Sequence, residues 1–266
     1  MFINMIKLSW VVFVAGMIVF LSGQNAKADG FEKILRSGKI RIAIPQDSPP
    51  FGFLSPSGTF DGYDVDVAKL IAKDLEVKVE LVPVVSKNRI PFLVTKKVDL
   101  VISSMGANPK RAMAINFSKA YAPFFWGVFG PKKIDVKNVA DTQGYRVGAT
   151  LGTLEELAFT ESAPKGVTIK RYDDQATTAA AYLSGHVDLL VTGSAIAAKL
   201  INDNPSKSTE TKFIMRQSPC HIGVRKGDTD LLHWVNVFIY SHKLNGDLDK
   251  LSVKWFGDSL PEFPQF

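Results

Sequence analysis

The feature that most constrains the fold of this chain is a strand-like segment that occurs twice. Lys96–Ser104 reads KKVDLVISS and Gly185–Gly193 reads GHVDLLVTG. Both segments lead through a Val-Asp pair into an apolar run, and both end in small residues. Such runs alternate here with segments of helical period, which is typical of βαβ units and parallel sheets. A repeated unit of this kind predicts two similar α/β lobes.

The alternation of apolar runs and helical periodicity predicts the order of elements in each half. In the first half it predicts a strand–helix–strand–helix–strand series at Ile40–Ile44, Val65–Leu75, Val77–Val84, Ile90–Val94 and Val98–Ser103. In the second half it predicts the same series at Tyr145–Ala149, Leu154–Thr160, Val167–Tyr172, Ala176–Leu183 and Val187–Thr192. Ligands of open α/β sheets usually bind at the carboxyl ends of such strands.

Two apolar segments without helical period are predicted to cross between the lobes, Ala120–Pro131 and Phe213–Arg225. This interpretation assigns residues 29–124 plus 219–266 to lobe 1 and residues 125–218 to lobe 2. Two crossing strands form a hinge, and hinged lobes close around small ligands held in the cleft between them. The expected fold class is therefore α/β, with two lobes and a ligand cleft.

The first 28 residues are typical of a secretory signal peptide. Lys7 precedes an apolar run from Leu8 to Leu21, and the small-residue ending Ala26-Lys27-Ala28 forms an A-x-A cleavage site. The apolar run is shorter than the ~20 residues that a membrane-spanning helix needs, which disfavours a membrane anchor. We therefore predict cleavage after Ala28 and export to the periplasm.

Charge and cysteine content exclude several classes of protein. The net charge of +6 is spread along the chain without a basic run, so no nucleic-acid partner is expected. The single Cys220 cannot form an internal disulfide. Neither a metal site nor a cofactor is predicted, because the histidines lack ligand-like spacing; they are His186, His221, His233 and His242.

The segment Ser103–Phe125, SSMGANPKRAMAINFSKAYAPFF, predicts a pocket for a carboxylate. The guanidinium of Arg111 offers a planar fork of donors that pairs with both oxygens of a carboxylate. Ser103, Ser104 and Gly106 are small enough to leave nearby backbone N–H groups accessible. The alternative is that Arg111 is an ordinary residue of a surface helix.

Several motifs in a fixed order resemble a known family. They are PPFGF at Pro49–Phe53, GYDVDVA at Gly62–Ala68, NRIP at Asn88–Pro91, FSKAYAPF after Arg111, GATLGT at Gly148–Thr153, SGHVDLLV, and NGDLDKLSVKWFG near the C-terminus. Together they resemble the extracytoplasmic solute-binding proteins of polar amino acid ABC transporters, the bacterial solute-binding protein family 3. The resemblance implies the type 2 periplasmic-binding-protein fold. It also implies a monomer that captures a small carboxylate-bearing ligand and delivers it to a membrane permease.

The resemblance also implies roles for individual residues. Arg111 matches the arginine that holds the ligand α-carboxylate, with assistance from the positions of Ser104 and Gly106. Thr153 matches a second-lobe threonine at a helix start, where unpaired N–H groups attract anions. The segment VSKNRIP is most similar to the branch that binds glutamate and aspartate, in which residues matching Ser86 and Arg89 hold a side-chain carboxylate. The alternative is a structural Arg89, and a further arginine of that branch is replaced here by Pro45.

The sharpest departure from the family lies at Gly193, where amino-acid binders have an aspartate that pairs with the ligand ammonium. A buried ammonium without a partner costs several kcal/mol, so another acid is required or the ligand lacks an α-amino group. Candidate replacements are Asp47, Glu155, Asp173 and Asp174. Aromatic clamps of the basic amino acid branch are absent, since those positions align with Ser48 and Ser86. Phe51, Phe124, Phe125 and Trp126 are either apolar pocket walls or ordinary core.

The leading hypothesis is a binding protein and not an enzyme, because no Ser-His-Asp pattern, metal set or paired carboxylates faces the predicted pocket. The resemblance leaves two other functions open. One is a secreted enzyme similar to cyclohexadienyl dehydratase, and the other is a sensory ligand-binding domain that docks to a separate receptor.

Overall fold

The structure, a computed structural model, describes residues 30–264. The predicted signal peptide and its cleavage site after Ala28 lie outside these residues. The described helices are α1 (Gly30–Ser37), α2 (Tyr63–Asp74), α3 (Arg89–Val94), α4 (Pro109–Ala112), α5 (Leu154–Ser162), α6 (Gln175–Leu183), α7 (Ser194–Asp203), α8 (Thr229–Leu244) and α9 (Asp247–Phe256). None of the described helices is long and apolar enough to cross a membrane.

The strands form two larger sheets and a small third one. They are β1 (Lys39–Pro45), β2 (Asp47–Ser48), β3 (Gly52–Leu54), β4 (Phe60–Asp61), β5 (Lys78–Val84), β6 (Leu100–Val101), β7 (Ile115–Ala122), β8 (Phe125–Pro131), β9 (Arg146–Thr150), β10 (Thr168–Tyr172), β11 (Leu189–Gly193), β12 (Thr209–Gln217) and β13 (Cys220–Arg225). The sheet of lobe 1 has the order β5-β1-β6-β13-β7, and that of lobe 2 has the order β10-β9-β11-β8-β12. The strands β2, β3 and β4 form a short antiparallel sheet at the edge of lobe 1.

The two larger sheets have the same internal pattern, which confirms the predicted pair of α/β lobes. In lobe 1, β5, β1 and β6 are parallel, and β13 is antiparallel to both β6 and β7. In lobe 2, β10, β9 and β11 are parallel, and β8 is antiparallel to both β11 and β12. Each lobe thus combines a parallel βαβ half with two strands that connect to the other lobe.

The Val-Asp pair of the repeated segment has the same structural role in both lobes. The carboxylate of Asp99 accepts hydrogen bonds from the backbone N–H of Arg41 at 2.9 Å and from its guanidinium Nη2 at 2.7 Å. The carboxylate of Asp188 accepts the corresponding bonds from Arg146 at 2.9 and 2.6 Å. This charge-assisted pair links the repeated segment, just before its apolar run, to β1 in lobe 1 and to β9 in lobe 2.

Each predicted crossing segment consists of two strands that belong to different sheets. The chain leaves lobe 1 after β7 and enters lobe 2 at β8, and it returns between β12 and β13. The two connections lie side by side, because the N–H of Ser218 donates to the carbonyl of Phe124 at 2.8 Å. The exact lobe boundaries, 124/125 and 218/219, remain a prediction. Helices α1 and α7 were not predicted.

Candidate functional site

A cavity lies between the lobes, at the carboxyl ends of the parallel strands. Its lining residues come from both lobes and are Arg89, Ser104, Gly106, Arg111, Phe124, Trp126, Thr153, Leu154, Glu155, Gln175, Ile196 and Ser218. Its free volume is about 10 Å³, roughly the room of one water molecule. An amino-acid-sized molecule can therefore enter only if the lobes separate or the lining side chains move.

Arg111 reaches across the cleft from the short helix α4. Asn108 caps this helix, because its side chain accepts the backbone N–H of Arg111 at 2.7 Å. The guanidinium donates to the carbonyl of Gly106 in lobe 1 and to the carbonyl of Gly152 in lobe 2, both at 2.8 Å. Burial, together with the nearby positive charge of Arg89, lowers the pKa of Arg111 to about 10. Arg111 therefore remains charged at neutral pH.

Arg89, the first residue of α3, is the second cation of the cavity and is buried. Its Nε donates to the hydroxyl of Ser103 at 3.1 Å, and its Nη2 donates to the hydroxyl of Ser104 at 3.4 Å. Burial lowers the pKa of Arg89, and the negative charges of Glu155 and Asp64 oppose that effect. In the part of the chain that the structure describes, no carboxylate oxygen lies within 4.0 Å of a guanidinium nitrogen of Arg89 or Arg111.

Asp64, which sequence reasoning did not identify as a site residue, positions Ser104. Its carboxylate accepts the backbone N–H of Ser104 at 2.7 Å and the hydroxyl of Tyr121 at 2.6 Å. Because the N–H of Ser104 donates to Asp64, it is not available to a ligand as we had expected. Ser104 has a left-handed backbone with φ of 40°. Burial raises the pKa of Asp64 to about 7. The signal in the sequence was the GYDVDVA motif, which contains this residue.

Gly106 lies where the two lobes approach each other closely. A Cβ at this position would lie 2.6 Å from Cδ1 of Leu154 and 2.6 Å from the hydroxyl of Ser218. A side chain at Gly106 would therefore require the side chains of Leu154 and Ser218 to shift.

The two acidic residues that follow Thr153 point in different directions. Thr153 is the N-cap of α5, and its hydroxyl accepts the N–H of Glu156 at 3.2 Å. Glu156 turns away from the cavity and forms an ion pair with Arg171 at 2.7 Å. Glu155 lines the cavity and is 5% exposed. Burial raises the pKa of Glu155, whereas the charges of Arg89 and Arg111 oppose that rise.

An aromatic ring occupies the space in front of Gly193. Gly193 ends β11 and pairs with Trp126 of β8. A Cβ at Gly193 would lie 2.4 Å from Cζ of Phe124, whose ring also lines the cavity. Trp126 is 2% exposed, and its indole N–H has no hydrogen-bond partner in the described structure. In the family that this chain resembles, an aspartate occupies the position of Gly193. In this chain, the corresponding side of the cavity is aromatic.

Two polar contacts connect the lobes at the edge of the cleft, and we call them the rim contacts. In the first, the carboxylate of Asp47 accepts the N–H groups of Gln175 at 2.7 Å and of Ala176 at 3.2 Å, at the start of α6. In the second, Nζ of Lys87 lies 2.6 Å from the carboxylate of Asp173. Asp47 and Asp173 are therefore occupied by contacts between the lobes.

The predicted site residues divide into two groups. Those that line the cavity are Arg89, Ser104, Gly106, Arg111 and Thr153. Those outside its lining are Asp47, Ser48, Phe51, Ser86, Ser103 and Gly193. Phe51 is fully buried in the core of lobe 1, where its ring centroid lies 5.0 Å from that of Phe256. Contact between a ligand and the six residues outside the cavity lining remains a prediction. The cavity is also lined by Gln175, Ile196 and Ser218, which the sequence analysis did not predict as site residues.

The described residues contain no group of three or more His, Cys, Asp or Glu side chains that would hold a metal ion. The chemistry of the cavity is therefore that of two guanidinium groups, one carboxylate, several neutral hydrogen-bonding groups and an aromatic wall.

Comparison with known proteins gives a consistent result. Residues 40–258 match the sequence model of the bacterial extracellular solute-binding proteins, family 3. The glutamine-binding protein GlnH of an ABC transporter of Bacillus subtilis (strain 168) is 28% identical over 246 residues, which cover 91% of this chain and 89% of that protein. The L-cystine-binding protein TcyJ of Escherichia coli (strain K12) is 28% identical, with coverage of 90% and 92%.

Two solved structures of reconstructed ancestral proteins are also similar. An arginine-binding protein bound to arginine has a TM-score of 0.79 and 34% identity, over 83% of this chain and 99% of that one. An amino acid-binding precursor of cyclohexadienyl dehydratase has a TM-score of 0.78 and 33% identity, over 86% of this chain and 100% of that one.

Proposed function

Since the chain belongs to the bacterial extracellular solute-binding proteins of family 3, we propose that it captures a polar or acidic amino acid for uptake by an ABC transporter. Relatives named for binding glutamine, cystine and arginine support an amino acid as the ligand. In this proposal the protein acts as a monomer in the periplasm, after cleavage behind Ala28, and docks to a membrane permease.

The observation that carries the proposal is a pair of arginines, one buried and one partly buried, without a carboxylate partner in the described structure. A buried charge is costly unless an opposite charge and hydrogen bonds compensate it. Arg89 is buried and Arg111 is partly buried in one cavity, and their present partners are carbonyl and hydroxyl oxygens. A ligand carboxylate supplies the missing anion. We assign the α-carboxylate to Arg111, because its guanidinium lies between the two lobes and so couples binding to closure.

The proposal is tested by a thermal-shift screen of the chain from residue 29 onward, followed by calorimetry. The panel contains glutamate, glutamine, aspartate, arginine and cystine, with prephenate and arogenate as enzyme substrates. A ligand at about 100 times its Kd stabilises the folded state by about 2.7 kcal/mol, so a true ligand raises Tm clearly. Failure of every amino acid to raise Tm contradicts the proposal, and turnover of prephenate or arogenate favours the dehydratase alternative.

Replacement of Arg89 by alanine should weaken dicarboxylic ligands selectively. A hydrogen bond to a charged group contributes about 1.5–3 kcal/mol, so we expect a loss of roughly 10- to 100-fold in the affinity for glutamate. The affinity for glutamine should fall less, because its side-chain amide is neutral. Calorimetry with both ligands on both proteins measures this ratio. Equal losses for glutamate and glutamine would mean that Arg89 only supports the loop of Ser103 and Ser104.

A further inference from the structure

We propose that Glu155 is the residue that binds the α-ammonium group of the ligand, in place of an acid at the end of β11. The inference rests on the proposed function, because it requires an amino acid in the cavity. The binding of an anion by Arg89 and Arg111 does not require the Glu155 carboxylate. The inference gives this carboxylate a role in ligand specificity.

The first support is the state of the Glu155 carboxylate. The side chain is buried and lines the cavity, yet no side chain in the described structure donates a hydrogen bond to it or forms an ion pair with it. The proximity of its own backbone N–H lowers the pKa of the Glu155 carboxyl and so opposes the effect of burial. Its neighbour Glu156, buried to a similar extent, has a full set of partners that includes Arg171 and Thr160. A buried carboxylate is stabilised by a cation, and Glu155 lines the cavity in which a ligand cation could reach it.

The second support is the charge pattern of the cavity. Arg89 and Arg111 influence Glu155 electrostatically, but neither forms an ion pair with it in the described chain. An α-amino acid carries its two opposite charges on neighbouring groups. A zwitterion can therefore place its carboxylate on Arg111 and its ammonium on Glu155 at the same time, so that both charged side chains gain an opposite charge.

The third support is the exclusion of the alternative position. The ring of Phe124 fills the space in front of Gly193, and it is held there by Phe51 at a centroid distance of 5.5 Å. No acidic side chain fits at residue 193 without displacement of this ring. Of the other candidate acids, Asp47 and Asp173 are engaged in the rim contacts, and the carboxylate of Asp174 caps α6 by accepting the N–H of Thr177 at 2.7 Å.

The test compares amino acids with their analogues that lack the α-amino group. The pairs are glutamate with glutarate, glutamine with glutaramate, and arginine with 5-guanidinopentanoate. For the pair whose amino acid binds, we expect the wild type to prefer the amino acid by at least about tenfold in calorimetry, since the ammonium gains a charged partner. In Glu155→Gln this preference should fall to near onefold, because an amide does not neutralise the ammonium.

Glu156→Gln is the matched control, since it makes the same chemical change one residue further along α5. It removes the ion pair with Arg171 and should lower Tm, but it should leave the preference for the amino acid unchanged. Thermal melts of both variants establish that they are folded. Glu155→Gln should not be less stable than the wild type, because it removes a buried charge.

The outcomes separate this inference from the proposed function. If no amino acid binds the wild type, the proposed function is wrong and the inference falls with it. If amino acids bind and Glu155→Gln keeps the full preference over the analogues, only the inference is overturned. Equal binding of both members of a pair by the wild type overturns it as well, because the cavity then does not recognise the ammonium.

Discussion

Replacement of Arg111 by alanine should abolish ligand-induced stabilisation while the protein remains folded. The two prongs of an arginine–carboxylate pair contribute about 1.5–3 kcal/mol each, so we expect affinity to fall by roughly 100-fold or more. The unliganded fold should change little. The hydrogen bonds to Gly106 and Gly152 are lost, but so is the cost of burying the guanidinium. Thermal shift and calorimetry with the best ligand of the screen measure the effect.

Lys110 provides a matched control on the same short helix. It is exposed and does not line the cavity, so Lys110→Ala changes the charge of α4 without touching the site. Arg111→Lys should be intermediate, because lysine keeps the charge but lacks the planar fork. An unchanged Kd for Arg111→Ala would show that Arg111 is a structural link between the lobes and not the carboxylate anchor.

Introduction of the family aspartate by Gly193→Asp should destabilise this protein strongly. The new Cβ would lie 2.4, 2.8 and 3.0 Å from three atoms of the Phe124 ring. Overpacking of a core costs about 1–3 kcal/mol, and a buried carboxylate without a partner adds to that cost. We therefore expect the free energy of unfolding, measured by urea denaturation, to fall by about 3 kcal/mol or more.

Two further variants separate the causes of that loss. Gly193→Ala introduces the steric conflict without the charge and should lose about 1–3 kcal/mol. The double variant Gly193→Asp with Phe124→Ala should be more stable than the sum of the single losses implies, because removal of the ring opens space for the aspartate. A Gly193→Asp protein as stable as the wild type would mean that Phe124 rotates away freely.

The sequence was sufficient to predict the two-lobed α/β fold, because the fold depends on local periodicity and on one repeated segment. The Val-Asp pairs were visible as a repeat, although their bonds to Arg41 and Arg146 were not. Those bonds join residues that are far apart in the sequence, and pattern analysis along the chain does not contain that information. The length of β6 was overestimated for a similar reason, since pairing with β13 and not apolar content determines where the strand ends.

The parts of the site that lie on one segment were predictable, and those that arise from contact between lobes were not. Arg111 and Thr153 follow turns whose residue types already suggest anion binding. The different environments of Glu155 and Glu156 depend on the helical phase of α5 relative to lobe 1. The filling of the space at Gly193 by Phe124 depends on how the first connection between the lobes packs against β11.

The rim contacts bear on how long the closed form lasts. Lys87 and Asp173 are 38% and 74% exposed, and an ion pair of this kind contributes at most about 1 kcal/mol. The carboxylate of Asp47 at the start of α6 contributes about as much as a helix cap, roughly 1 kcal/mol. Water and dissolved salt compete with both contacts. The rim contacts alone therefore hold the lobes together only weakly, and under the proposed function the captured molecule would supply the larger part of the free energy that keeps them closed.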